Sequence, residues 1–503
     1  MKTQWFLIVL TFICFSTLTA QDQDADLAGE IVVQLYEDVN PRTFFQTFKK
    51  EQDFPQLVHQ KVISDVLHLH LLYYPPHLPN SLDIVDFLNG SAAVKAAGPN
   101  FRLKKRGKTP DDPRYLEQWG LETINAPDVW DFATGGLTAL GDTIVIANLE
   151  GVEAEHPDLQ DNLWYNWAET PNDGIDNDGN GYIDDFQGLR LTTIPPDAHG
   201  TSVAGILAAK GDNGMGITGV TWNTKLMTIQ STLAFDEIAE SYMYVYDMRK
   251  RYNETNGAEG AFVVVTNASL GADRQFPEDN PLFPAWCAAY DLLGEVGVLS
   301  AGATSNDNIN IDVFGDMPST CSSEFLISVT NINKADQLDG AFSQDSTFNT
   351  NGNFIEMVST YVDLAAPGTG SVTTKPNGGY GAFGGTSAST PHVAGTIALL
   401  YSLPCVKIAE EMKIQPQQTA SLMRDFILQG VFETTDLEGQ TVSGGRLDAL
   451  ASMQLIQSYC GGSNGPLEIV SIFPNPVRPG DVVRVVYLTP DPTEYDISIY
   501  NML

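Results

Sequence analysis

Gly384-Gly385-Thr386-Ser387-Ala388-Ser389-Thr390-Pro391-His392-Val393-Ala394-Gly395 is the stretch around which the rest of the chain is arranged. It sets one serine, Ser387, among glycines and small residues, ahead of an apolar run from Val393 to Leu400. Glycine turns tightly without a Cβ penalty. Pro391 suits the first turn of a helix, where a missing N–H costs nothing. The pattern predicts Ser387 at or just before a helix N-terminus, exposed on a turn, with Ala388 and Ser389 leaving room for a bound backbone. N–H groups at such a terminus can face a developing negative charge. Taken alone, the stretch reads equally as a glycine turn with Ser387 as the N-cap of a buried helix.

A serine becomes a nucleophile when a base takes its proton. His199, in Asp197-Ala198-His199-Gly200-Thr201-Ser202-Val203-Ala204-Gly205, is the best candidate, because imidazole titrates near neutrality. The alternative is a histidine near a helix start with no chemical role. The two stretches resemble the nucleophile and histidine motifs of the subtilisin-like serine proteases, Gly-Thr-Ser-Met-Ala-Thr-Pro-His-Val-Ala-Gly and His-Gly-Thr-His-Val-Ala-Gly. Ala388 and Ser389 stand where that family commonly has Met and Ala. The resemblance runs over roughly residues 113 to 460.

It implies further roles. Gly297 to Asn306 resembles the strand and turn that end in the family's oxyanion asparagine, with Thr304-Ser305 in place of Ala-Gly; Asn306 falls at that position. Asn267-Ala268-Ser269-Leu270-Gly271 resembles the family's Ser-Leu-Gly segment, so Ser269, Leu270 and Gly271 are expected to hold a peptide as an added strand. His156 and His392 match structural positions. The third triad member is the exception. The family's aspartate lies seven residues before His-Pro-Asp-Leu, and counting back from His156 reaches Leu149. Leucine cannot accept from an imidazole N–H. Glu150 or Asn148 could substitute, but a neighbouring residue on a strand points to the other face, so Glu150 needs a bulge or shifted register to reach His199. Two readings follow: a secreted serine endopeptidase working through an acyl-enzyme, or a weakened or inactive peptide-binding protein on the same fold.

Strand and helix patterns alternate through this region. Thr143 to Ala147, Leu226 to Gln230, Phe262 to Thr266, Val296 to Ser300 and Phe325 to Val329 read as strands. Thr201 to Ala209, Phe235 to Tyr252, Leu282 to Leu293 and Gly395 to Leu403 read as helices. The fold expected is α/β, a subtilisin-like, mainly parallel sheet flanked by helices. In such sheets ligands bind beyond the carboxyl ends of the strands.

Asn172 to Asp185 is dense in oxygen ligands. Asp176, Asp178, Asn180, Tyr182 and Asp184 fall at positions 1, 3, 5, 7 and 9 of an EF-hand-like loop, with Gly181 at the sharp turn. Position 12 is Gln187, so the full pattern fails. Calcium is expected here, because close carboxylates repel one another without a cation; the competing reading is an acidic, solvated turn.

The 503 residues are 43% hydrophobic and 10% aromatic, which suits a globular chain of several domains. Sixty-three acidic against 27 basic residues give a net charge of −36, which excludes nucleic acid and anionic membranes as partners. Residues 1–20 read as a secretory signal, implying a secreted or cell-surface protein, and nothing later reads as membrane-spanning. Residues 21–110 form an α+β unit at the place where the family carries a propeptide that the enzyme removes. Its end is basic (Arg102, Lys104, Lys105, Arg106, Lys108), either a processing site or a solvated linker. Residues 111–460 form the main domain. Cys287, Cys321, Cys405 and Cys460 predict two disulfides. Three pairings are open, with Cys287–Cys321 and Cys405–Cys460 the local ones. Residues 461–466 read as a linker. Residues 467–503, with strands around Phe473-Pro474-Asn475-Pro476, resemble part of a type IX secretion sorting domain, which implies outer-membrane secretion machinery as a partner.

Overall fold

The structure is a computed structural model that describes residues 26–51, 54, 56–75, 84–101, 108–348, 354–358, 360–461, 468–473 and 484–488. The signal reading, the 461–466 linker beyond residue 461 and most of the C-terminal piece lie outside the described residues. The chain divides into two compact units after Arg106.

The first unit alternates as β-α-β-β-α-β. Its antiparallel sheet runs Val58–Ser64, Leu69–Tyr73, Asp26–Leu35, Val94–Phe101. The helices are Pro41–Glu51 and Ile84–Asn89, and Val33, Phe54, Leu72, Ile84 and Leu88 form its core. The stretch from Val62 to Tyr74, apolar enough to read as one strand, belongs to a hairpin. Residues 65–68 turn between two strands, and His68 adopts a left-handed φ of 51°. The apolar run hid the turn from Asp65 to His68, which the alternation pattern does not resolve.

The second unit is built on a nine-stranded sheet. In spatial order its strands are Val431–Glu433, Gly445–Leu447, Leu364–Pro367, Leu326–Ile332, Leu299–Ala303, Val263–Ala268, Val145–Asn148, Lys225–Gln230 and Leu189–Arg190. All neighbours pair in parallel except the first two. Central strands are buried on both faces, which is why they read as unbroken apolar runs. Along Val145–Asn148 the side chains alternate between two cores: Ile146 enters one, Val145 and Ala147 the other. The helices Ala198–Ala208 and Thr386–Tyr401 contribute to the first core. The helices Phe235–Thr255 and Phe283–Glu295 contribute to the second.

Three further helices, Val406–Ile414, Pro416–Gln429 and Ala449–Cys460, follow where the sequence pattern had no assignment. The disulfides are Cys287–Cys321 and Cys405–Cys460, with Cα atoms 5.2 and 5.7 Å apart. Beyond the linker, Glu468–Phe473 pairs antiparallel with Arg484–Leu488. Among the described residues no single helix is long and apolar enough to cross a membrane.

Candidate active site

Ser387 is the second residue of the helix Thr386–Tyr401 and is 8% exposed. It is therefore nearly buried rather than projecting on an open turn. Ala388 and Ser389, expected to leave room for a bound backbone, are themselves fully buried. The entire helix lies inside the molecule, so small residues here serve packing. Pro391 is also not in the first turn but sixth in the helix. There its missing N–H leaves the carbonyl of Ser387 without its usual i+4 donor. The hydroxyl of Ser269 fills the gap, donating to the Ser387 carbonyl at 3.2 Å.

The turn before Ser387 is held by Asn306. Its Oδ1 accepts from the Thr386 N–H at 2.9 Å and the Thr386 hydroxyl at 3.1 Å. Asn306 itself is exposed, and its Nδ2 donates no hydrogen bond among the described residues. Gly385 makes the Oδ1 contacts possible: its φ is 75°, and a Cβ there would lie 2.3 Å from Asn306 Oδ1. The Thr386 hydroxyl also donates to the Thr304 carbonyl at 2.6 Å, tying the helix start to the end of the Leu299–Ala303 strand.

His199 sits in the first turn of Ala198–Ala208, capped by Asp197, whose carboxylate accepts from His199 N and Gly200 N. Its Nδ1 meets Glu150 Oε2 at 2.5 Å. Leu149 takes no part: it is 1% exposed and packs in an apolar core. The expectation that Leu149 stands in the acid's place assumed a spacing of seven residues, whereas the acid that meets His199 lies six residues before His156. No bulge is needed either. The strand ends at Asn148, so strict alternation no longer governs Glu150. Gly200 admits the approach, since a Cβ there would lie 2.2 Å from the Gly151 carbonyl and 2.8 Å from Glu150 Cβ.

Burial lowers the proton affinity of His199, but the hydrogen bond and charge of Glu150 outweigh it and leave the imidazole above its ordinary value. Phe383 packs edge-on against the ring at 5.1 Å. Glu150 is held up by burial against the pull of His199. Its second oxygen, Oε1, is buried with no hydrogen-bond partner.

Two buried asparagines take part: Asn148, offered by the sequence as a possible substitute for the acid, and Asn267, to which the sequence reading gave no role of its own. Asn148 Nδ2 donates to the Glu150 carbonyl at 3.1 Å. Asn267 Nδ2 donates to Asn148 Oδ1 at 3.2 Å and to the Ser269 hydroxyl at 3.3 Å. With the Ser269–Ser387 bond, they link the acid's loop to the nucleophile's helix. Their signal in the sequence is an Asn at the end of each of two apolar strands, a costly place for an amide unless it is bonded. Ser269, Leu270 and Gly271 follow the Val263–Ala268 strand as expected. His156 and His392 are structural: His156 Nε2 lies 3.1 Å from the Gly379 carbonyl, and burial pushes His392 down to about 4.

In the acidic loop, Asp176 and Asp178 come together with Glu169, a residue that the loop pattern did not include; their nearest ligand atoms lie within 4.8 Å of one another. Glu169 is 4% exposed. Its Oε1 accepts from Asn177 N and Asp178 N, while Oε2 is buried with no partner. A buried orphan oxygen beside two carboxylates suits a hard cation such as calcium. Asp184 is turned elsewhere, accepting from Asp173 N and Gly174 N at 3.0 and 3.1 Å. Asn180 is spent within the loop, with Nδ2 to Asp178 and Asp185 and Oδ1 from Tyr182 N. The Tyr182 ring stands edge-on to Tyr244. Position 12 is Gln187, and the long carboxylate beside Asp176 and Asp178 is that of Glu169, upstream of the loop.

The helix start at Ser387, the His199–Glu150 pair and the turn at Asn306 are the parts from which this candidate site is built. The comparisons name the family. The model of the subtilase family matches residues 141–443, and the chain belongs to that family. It is 28% identical over 390 residues to the thermophilic serine proteinase of Bacillus sp. (strain AK1), covering 76% of this chain and 80% of that protein. It is 25% identical over 366 residues to subtilisin-like protease 1 of Plasmodium berghei (strain Anka) and spans only 54% of that relative's length. Among solved structures, a protease of Pseudoalteromonas arctica PAMC 21717 aligns with a TM-score of 0.48 at 22% identity, over 69% of this chain and 99% of that one.

Proposed function

We propose that the protein is a serine endopeptidase acting through an acyl-enzyme on Ser387. His199 takes the Ser387 proton as Oγ attacks the scissile carbonyl. Asn306 Nδ2 donates to the oxyanion. His199 then returns the proton to the leaving amine, and a water repeats the sequence to release the acid. Glu150 holds the imidazole in the tautomer that accepts at Nε2 and stabilises its charged form. Ser269 to Gly271 hold the extended peptide. The observation that carries this reading is the 2.5 Å contact between Glu150 and His199 Nδ1. It favours the enzyme over the inactive peptide-binding reading, which rested on Leu149.

Glu169, Asp176 and Asp178 would hold calcium, which would neutralise the loop's carboxylates and stabilise the domain; the chemistry at Ser387 does not pass through it. Export by a signal in residues 1–20, and type IX sorting through residues 467–503, complete the proposal on the sequence resemblance alone.

The test is labelling by a fluorophosphonate. Wild type is expected to react covalently at Ser387, and Ser387→Ala to stay blank. A folded wild type that takes no label overturns the reading.

A further inference from the structure

The substrate's position follows from the groups that act on it. The attacked carbon carries four substituents: Ser387 Oγ, the oxygen turned to Asn306, the leaving nitrogen and the acyl-side Cα. The leaving nitrogen must face His199, which protonates it. His199 and Glu150 belong to the Val145–Asn148 side of the site. In the sheet, that strand is followed by Val263–Ala268 and then Leu299–Ala303. The acyl-side residue is therefore directed away from His199. Its side chain would lie between the segments that extend those two parallel neighbours, residues 269–271 and 304–306.

Asp316 is bonded to one of these segments and to the strand that continues the other. Ser305 N, one residue before Asn306, donates to Asp316 Oδ2 at 3.0 Å. On the other side, Asp316–Met317 pairs antiparallel with Ala272–Asp273, which directly follows Gly271. Gly271 lies so close that a Cβ would come within 2.4 Å of the Met317 carbonyl. Asp316 is 2% exposed, and Ser319 Oγ also donates to its Oδ2 at 2.7 Å. Oδ1 accepts no hydrogen bond among the described residues, yet it is not among the atoms sealed from solvent.

A buried carboxylate with one free oxygen calls for a cation. No lysine or arginine among the described residues pairs with Asp316. Arg274, on the same ribbon, is engaged with Asp307 at 3.1 Å. The residue facing Asp316 in register is a second acid, Asp273, and like charges directly opposite are unfavourable. Burial, with the charge of Asp273, pushes the Asp316 carboxyl up to about 7 against the bonds from Ser319 and Ser305. A cation there would relieve all of this.

We propose that Asp316 determines specificity by receiving the cationic side chain of a lysine or arginine on the acyl side of the scissile bond, so that this protein cuts after basic residues. The proposal rests on the protease reading and adds its substrate class. The chain itself supplies an independent sign. The segment where the two units divide reads Arg102-Leu103-Lys104-Lys105-Arg106-Gly107-Lys108, so the place where self-cutting is expected is rich in the side chains that Asp316 would select.

The experiment uses the full chain and peptides identical except for the acyl-side residue: Arg, Lys, citrulline, Leu and Phe. Wild type is expected to favour Arg and Lys over citrulline and Leu by at least about tenfold in kcat/KM, the scale of a charge-assisted bond. Asp316→Asn is expected to bring the Arg-to-Leu ratio close to one. Fluorophosphonate labelling of both proteins reports the nucleophile separately. A labelled wild type that prefers Leu or Phe overturns the proposal and leaves the protease reading standing. So does an unchanged ratio in labelled Asp316→Asn. If Asp316→Asn fails to fold, the wild-type Arg-to-citrulline ratio decides alone, since the two differ in charge at nearly equal shape. A folded wild type that neither labels nor cleaves brings down both readings.

Discussion

The two halves of the candidate site are held in different ways. On the nucleophile's side, Asn306 Oδ1, the Thr386 N–H and hydroxyl and the Ser387 carbonyl all have partners between 2.6 and 3.2 Å. On the acid's side, Glu150 reaches His199 by one oxygen and leaves the other buried and unpaired. Such an orphan costs about 1–3 kcal/mol. The first half is a helix start whose residues are locked by a fixed rise per residue. The second is a loop beyond a strand end, where length can change. A motif inside a helix therefore keeps its spacing, whereas the acid that meets His199 is one position beyond the one that the expected spacing reaches. The extra methylene of glutamate lengthens its reach to the imidazole.

The sharpest way to break this comparison is at Glu150. Glu150→Gln keeps the shape and removes the charge. It is expected to lower kcat by about 10⁴, on the scale seen when the triad acid is lost in serine proteases. Leu149→Asp should restore nothing. The pH profile gives the sign. His199 must be neutral to act as a base, and Glu150 raises its proton affinity. The acidic limb of kcat/KM should therefore lie above the ordinary imidazole value of 6.5 in wild type and move to lower pH in Glu150→Gln. If Glu150→Gln is neutral while Leu149→Asp accelerates turnover, the acid has been misplaced.

The nucleophile's side should give a smaller effect. Asn306→Ala is expected to lower kcat by about 10²–10³, the range known for a lost oxyanion donor in subtilisin, with KM little changed. A rise in KM at constant kcat would instead assign Asn306 to ground-state binding.

The acidic loop sharpens the contrast from outside the site. Removing calcium with a chelator should lower Tm by a few degrees, as expected for a ligand of the folded state. Glu169→Gln should have a similar effect and abolish further sensitivity to the chelator. Asp184→Asn should retain that sensitivity, because its carboxylate closes a turn rather than joining the cluster. Equal chelator responses in wild type and Glu169→Gln would remove Glu169 from the proposed ligand set.

The sequence by itself determined the alternating strands and helices, the parallel sheet and the positions of His199, Asn306 and Ser387 in it. These follow from local periodicity and from motifs confined to one turn or one helix, where a few residues fix the geometry. The tertiary structure alone decided which acid reaches His199, that Glu169 rather than Asp184 joins Asp176 and Asp178, and that Asn148 and Asn267 bridge the two halves. It also decided that Ala388 and Ser389 are buried and that Asp316 accepts from Ser305 N and pairs with the strand that follows Gly271. Each of these depends on where a loop of variable length ends, or on contacts between segments far apart in the chain. Such contacts are selected by packing and by the need to satisfy buried polar groups, and neither leaves a local pattern in the sequence.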